Sequence, residues 1–159
     1  DMTSLKKGFT LIELLVVVAI IGLLATLAII SLGTARTKAR DAKRLADIKS
    51  LQSALELFNN DNAGYPTGAA RVLGTGTSVR LCSTEGFVDV APAACGTSIM
   101  AGVPKDPGTD SYTYNAAAVA PSEVAATYKI DFKLEKPNGN LLAGANCATP
   151  SGLQPSVCP

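Results

Sequence analysis

Lys6-Lys7-Gly8-Phe9-Thr10-Leu11-Ile12-Glu13 opens onto an apolar run that continues to Leu32, and within 9–32 the one charged residue is Glu13. As an α-helix this run is about 36 Å long, enough to span a hydrocarbon core of ~30 Å, so the chain is expected to enter a membrane. A charge at the bilayer centre costs roughly 2.5–3.5 kcal/mol, less near the interface, and usually marks function. Glu13 therefore needs a partner. Gly8 stands before the apolar run, whereas an ordinary secretory signal is cut after its apolar region. Cleavage at Gly8 would keep the helix in the product.

Gly8-Phe9-Thr10-Leu11-Ile12-Glu13 after two lysines resembles the class III signal of type IV prepilins and of type II secretion pseudopilins. The resemblance implies cleavage between Gly8 and Phe9 by a membrane prepilin peptidase/methyltransferase and N-methylation of Phe9. It also implies that identical subunits join through their helices into a helical filament on a pilus assembly platform. Glu13 would then pair with the Phe9 amine of a neighbouring subunit. Two unit charges about 4 Å apart attract by ~4 kcal/mol at an effective dielectric near 20, before desolvation, so such a partner can offset the burial of Glu13. The expected division is a leader at 1–8, a helix at 9–62 whose 9–32 portion spans the membrane or forms the filament core, and a β-rich head at 63–159. The precursor would sit in the inner membrane and the product in a filament at the cell surface.

Composition fits one modest exported head. Net charge is +1 over 159 residues, which gives no general case for nucleic acid. With no histidine anywhere, Ser-His-Asp and Cys-His catalysis are excluded, and no acid, base and nucleophile set stands out, so no enzyme and no cofactor is expected. Cys82, Cys95, Cys147 and Cys158 lack C-x-x-C spacing, and their even number in an exported part favours two disulfides. Of the three pairings, Cys82–Cys95 and Cys147–Cys158 are favoured, because each closes a short loop rich in small residues. A zinc site of four thiolates is the alternative.

Nothing forbids helix from Phe9 to about Asn60, since the first proline is Pro66. Past the span, Ala35, Ala39, Ala42, Leu45, Ile48, Leu51, Leu55 and Phe58 recur at intervals of three and four and predict an apolar stripe lying on the head. The other side, with Arg36, Lys38, Arg40, Lys43, Arg44 and Lys49 beside Asp41 and Asp47, reads as a solvated face, or as one that pairs with other subunits. Many bacterial relatives carry a proline where this chain has Ile30, so only Gly22 and Gly33 weaken the helix, by about 1 kcal/mol each. The basic residues from Arg36 to Arg44 outnumber the two lysines before the span, which reverses the positive-inside pattern. Long downstream domains cross largely regardless of charge.

In the head, Tyr128 to Glu135 alternates apolar and charged and predicts a half-buried strand. With Tyr112-Thr113-Tyr114 before it and Leu141-Leu142 after the Pro137-Asn138-Gly139 turn, it predicts a three-stranded antiparallel meander packed on the helix. The fold class is thus α+β: a long N-terminal helix, half membrane-spanning and half amphipathic, on a small antiparallel sheet with irregular loops. Thr67–Thr84 reads as a surface loop, since it lacks the lysine and helix of a phosphate-binding loop. Val103-Pro104-Lys105-Asp106-Pro107 resembles a segment that precedes the sheet in small pilins and pseudopilins. Asp106, Asp110 and Asp131 are candidate calcium ligands without EF-hand spacing, and no metal site is assigned. The expected function is a structural subunit of a type IV pilus-like filament, with a type II secretion pseudopilin as the near alternative. A membrane-anchored extracytoplasmic binding protein is the alternative of another class.

Overall fold

Helix α1 begins after Thr10 and runs without a break from Leu11 to Asn62, through Gly22, Ile30 and Gly33. The structure, a computed structural model, describes residues 8–89, 95–117, 124–156 and 158; leader positions 1–7, with Lys6 and Lys7, lie outside the described residues. The chain divides into two units, Asp1–Thr37 and Lys38–Pro159. In the first, every large apolar side chain from Phe9 to Leu32 is exposed, as in Leu11 at 82% and Ile30 at 70%. With a mean hydropathy of 3.0 in its most apolar window, α1 is long and apolar enough to cross a membrane.

The second unit is built on the remainder of α1. Asp41, Arg44, Ile48, Leu51, Ala54, Leu55 and Phe58 are its buried residues, spaced at helical intervals so that they share a face. From Ile48 onward this is the apolar stripe that the periodicity predicts, with Leu45 partly buried against it. Upstream the stripe fails. Ala35, Ala39 and Ala42 are exposed, and Asp41 and Arg44, expected in solvent, are buried instead. Three alanines offer little area to bury, whereas the head brings carboxylates within reach of Arg44 and makes burial of the charge tolerable.

Two antiparallel sheets complete the head. The larger has the order β1-β5-β6-β7-β8, with β1 Gly68–Val72, β5 Thr113–Ala116, β6 Lys129–Leu134, β7 Gly144–Thr149 and β8 Gly152–Pro155. The smaller has the order β3-β2-β4, with β2 Arg80–Cys82, β3 Gly86–Val88 and β4 Ser98–Met100. In β6 the predicted alternation is met: Ile130, Phe132 and Leu134 are buried, while Asp131 between them is half-buried and Lys133 exposed. Ile130 pairs with Tyr114 on one side and Ala148 on the other, so β6 is the central strand.

The third strand of the expected meander is displaced. Leu141 closes a tight turn through its bridge to Asn138, Leu142 follows that turn, and the partner of β6 is β7, whose GANCAT sequence has no aromatic residue and only one β-branched one. Cross-strand neighbours, not intrinsic propensity, decide that segment. Thr67–Thr84 likewise holds β1 and β2 rather than a bare loop. The core joins Ile48, Leu51, Leu55 and Phe58 to Tyr112, Tyr114, Ile130 and Phe132. Tyr65, Tyr128, Tyr114 and Phe87 pack in sequence, with ring centroids 4.7, 6.0 and 4.9 Å apart.

Two disulfides link Cys82 to Cys95 and Cys147 to Cys158, with Cα–Cα distances of 5.5 and 5.6 Å. The first ties the smaller sheet to the segment before β4, and the second ties β7 to the C-terminal segment. Past Asn62 the helix stops at Ala63, whose φ of 54° is left-handed, a conformation in which a Cβ is costly.

Candidate functional site

Thr10 and Glu13 form a closed pair at the start of α1. The Thr10 backbone N–H and hydroxyl donate to Glu13 Oε2 at 2.8 and 2.7 Å, and the Glu13 backbone N–H donates to Thr10 Oγ1 at 3.3 Å. This is a capping box, in which the N-cap hydroxyl and the carboxylate three residues on satisfy each other's orphan amides. The negative carboxylate also lies at the positive end of the helix dipole. Thr-x-x-Glu spacing is a readable signal, and the sequence reading overlooked it by treating Glu13 only as a charge awaiting an amine. Phe9 is 87% exposed, and no cation among the described residues pairs with Glu13. In the single chain the carboxylate is thus held locally, through hydrogen bonds that a stronger ionic partner could replace.

The second assembly of polar groups lies in the head, around Arg44, whose side chain is 2% exposed. Its Nε and Nη2 donate to the two oxygens of Asp106 at 2.7 and 3.0 Å, and its Nη1 donates to Asp41 and Glu135 at 2.8 Å each. Arg40 makes its own paired contact with Glu135, at 2.6 Å through both Nε and Nη2. Asp41 further accepts the backbone N–H groups of Glu135 and Lys136 at 2.9 and 3.0 Å. A planar guanidinium with a fixed fork suits such an arrangement, and lysine could not replace it. Gly108 leaves room for it: a Cβ there would sit 2.8 Å from Arg44 Nη2.

The electrostatics follow from these bonds. Burial pushes the Asp106 carboxyl up, but the Arg44 guanidinium and the Gly108 amide outweigh it and hold it below its ordinary value. Hydrogen bonds from Arg40, then Arg44, bring Glu135 down to about 2. Burial raises Asp47, against the Tyr112 hydroxyl that donates to it at 3.1 Å. Burial and then Glu56 push Tyr65 up to about 12. The cluster joins the helix, the loop around Asp106 and the end of β6. Chemically it can do little else, since its acids and bases are committed to one another.

The three aspartates considered for calcium do not form one cage, although Asp110 and Asp131 line a common cleft. Asp106 is taken by Arg44, Asp110 accepts from Lys133 Nζ at 2.8 Å, and Asp131 lies mid-strand opposite Thr113 and Cys147. Among the described residues no group of three or more acids or cysteines has the closeness of a metal cage.

Comparison with known proteins bears on the N-terminal portion. The family described as "Prokaryotic N-terminal methylation motif" matches residues 3–35. The chain carries a pilin-family N-terminus. This pilin-type segment resembles type II secretion system core protein G of Escherichia coli (strain K12), at 43% identity over 65 residues, which cover 41% of this chain and 45% of that one. The Vibrio cholerae serotype O1 protein of the same name is 43% identical over 68 residues, covering 42% and 47%. That of Klebsiella pneumoniae is 40% identical over 62 residues, covering 39% and 44%. The chain thus matches less than half the length of these relatives. No solved structure matches it. With the antiparallel head described above, the pilin-type segment gives an α+β, pilin-like fold.

Proposed function

We propose that the chain is a structural, non-enzymatic subunit of a pilin-like filament, of the pseudopilin kind used in type II secretion. The observation that carries this reading is the similarity to core protein G: its 65 aligned residues exceed the length of the methylation motif at 3–35, so the likeness reaches past the signal. This favours the pseudopilin alternative over the type IV pilus reading. In the proposed sequence of events, prepilin peptidase cuts between Gly8 and Phe9 and the new amine is methylated. The subunit waits in the inner membrane through Phe9–Leu32, with Glu13 held by Thr10. On assembly, Glu13 exchanges these bonds for the Phe9 amine of the preceding subunit, and the apolar helices bury one another while the heads coat the filament.

Mass spectrometry of the chain co-expressed with its peptidase tests the first step, and a product beginning at N-methylated Phe9 is expected. A deletion strain then separates the subtypes. Loss of secreted protein from the medium with normal surface fibres supports the pseudopilin; loss of surface fibres with normal secretion favours the type IV pilus, a reading that the two head disulfides also suit. Uncleaved chain in a strain unaffected in both respects would overturn the filament reading.

A further inference from the structure

We propose that Asn138 is a site of spontaneous deamidation, at which the side-chain amide is converted to aspartate and isoaspartate without an enzyme. Loss of an asparagine amide begins when the backbone nitrogen of the next residue attacks Cγ. It needs a free side chain, a free N–H on that next residue and room for a five-membered ring. The chain holds seven asparagines, and the structure sorts them by these needs. Asn59 and Asn60 lie within α1, where helical hydrogen bonding engages the amide that follows each. Asn62 donates through Nδ2 to the carbonyls of Phe58 and Ser83 at 3.0 and 2.7 Å. Asn115, in β5, accepts the Ala70 N–H at 2.6 Å, and Asn146 is buried with both ends of its amide bonded to Leu142. Asn140 is followed by Leu141, whose N–H donates to the Asn138 carbonyl at 3.0 Å.

Asn138 escapes all of these restraints. Its side chain is exposed without a hydrogen-bond partner among the described residues, and the next amide, that of Gly139, donates to no carbonyl. Gly139 has a φ of 60°, and a Cβ built on it would meet nothing within 4 Å, so the space beside its nitrogen is open. The reaction balances with water alone. The Gly139 nitrogen bonds to Asn138 Cγ and gives up its proton, the Cγ–Nδ2 bond breaks, and ammonia leaves. Water then adds to either carbonyl of the cyclic imide, giving aspartate when one C–N bond opens and isoaspartate when the other does. Attack requires rotation about the Asn138 Cα–C bond, so the two bonds between Asn138 and Leu141, at 3.1 and 3.0 Å, must part first. An exposed turn opens locally at a cost far below that of global unfolding. Either product takes the formal net charge from +1 to 0, and isoaspartate routes the main chain of the turn through Cβ. The change falls between Glu135, which holds Arg40 and Arg44, and β7.

The test incubates the full chain in detergent, either folded or unfolded in guanidinium chloride, in mildly alkaline buffer made with heavy-oxygen water. Peptide mass spectrometry then follows each asparagine. In the folded chain Asn138 should be converted first, each product carrying one labelled oxygen. Its rate should lie within about tenfold of its rate in the unfolded chain, equivalent to an opening cost of no more than ~1.4 kcal/mol. Asn62, Asn115 and Asn146 should be suppressed far more strongly by folding. A protein isoaspartyl methyltransferase with a labelled methyl donor should mark the peptide that contains position 138, and mildly acidic buffer should slow the reaction, because the attacking nitrogen must lose its proton. A larger suppression of Asn138 on folding, or conversion of another asparagine ahead of it in the folded chain, overturns the proposal. Aspartate formed without isoaspartate overturns the route through the Gly139 nitrogen, and the proposal with it.

Discussion

Arg44→Met removes one guanidinium from the middle of the head and keeps most of the side-chain volume. The loss leaves Asp106 and Asp41, 3% and 4% exposed, as buried carboxylates without their cation. Breaking a buried ion pair from one side costs about 3–5 kcal/mol. At an urea m-value of about 2 kcal/mol/M, typical of small domains, that lowers the unfolding midpoint by roughly 1.5–2.5 M. The assay is urea unfolding of the full chain in detergent, followed by tyrosine absorbance, since the head holds all four tyrosines and the chain has no tryptophan. Adding Asp106→Leu should recover part of the loss, because no partner of that bond is then left charged and alone. A midpoint shift below about 0.5 M for Arg44→Met, equivalent to ~1 kcal/mol, would refute the view that this cluster anchors the helix to the head.

Four other outcomes are expected. Glu135 has a folded value of about 2 against an ordinary 4.5, so its contribution is complete above pH 4.5 and drains as pH falls toward 2; an acid titration of the urea midpoint should show this slope, reduced in Glu135→Gln. Glu13→Ala should leave processed subunits in the membrane but few filaments, with Glu13→Asp milder, and a normal filament yield from Glu13→Ala would remove the assembly role. Replacing Cys147 and Cys158 with serine should cost roughly 3 kcal/mol in the head, read as a lower urea midpoint, while the helical signal of the apolar segment persists. Ala63→Gly should raise the head's stability by about 1 kcal/mol by relieving the left-handed φ, and calorimetry that finds a loss instead would contradict the cap geometry.

Much of this could be read from local pattern. The apolar run, the uninterrupted helix to Asn62 and the alternation of β6 are signals carried by residues a few positions apart. The Thr10–Glu13 box is equally local, a Thr-x-x-Glu spacing at the head of the apolar run. What stayed hidden depends on residues far apart in sequence. Arg44 meets Asp106 and Glu135 only after the head closes, across separations of 62 and 91 positions, and no periodicity marks an arginine for burial. The strands β1 and β7 are rich in Gly and Ala, which carry little strand propensity, so pairing with β5 and β6 had to supply what the sequence lacks.

The Arg44 cluster also has a mechanical meaning. In the filament proposed above, a pull along the helix would reach the head through Asp41 and Arg44, whose several short contacts to Asp106 and to Glu135 at the end of β6 would share the load. Contacts arranged in parallel yield together, whereas contacts arranged in series open one at a time. Tension on the helix would therefore be borne by the central strand of the sheet, and peeling from an edge would be disfavoured. The head should behave as a stiff bead with an abrupt rupture force, a property separate from its equilibrium stability.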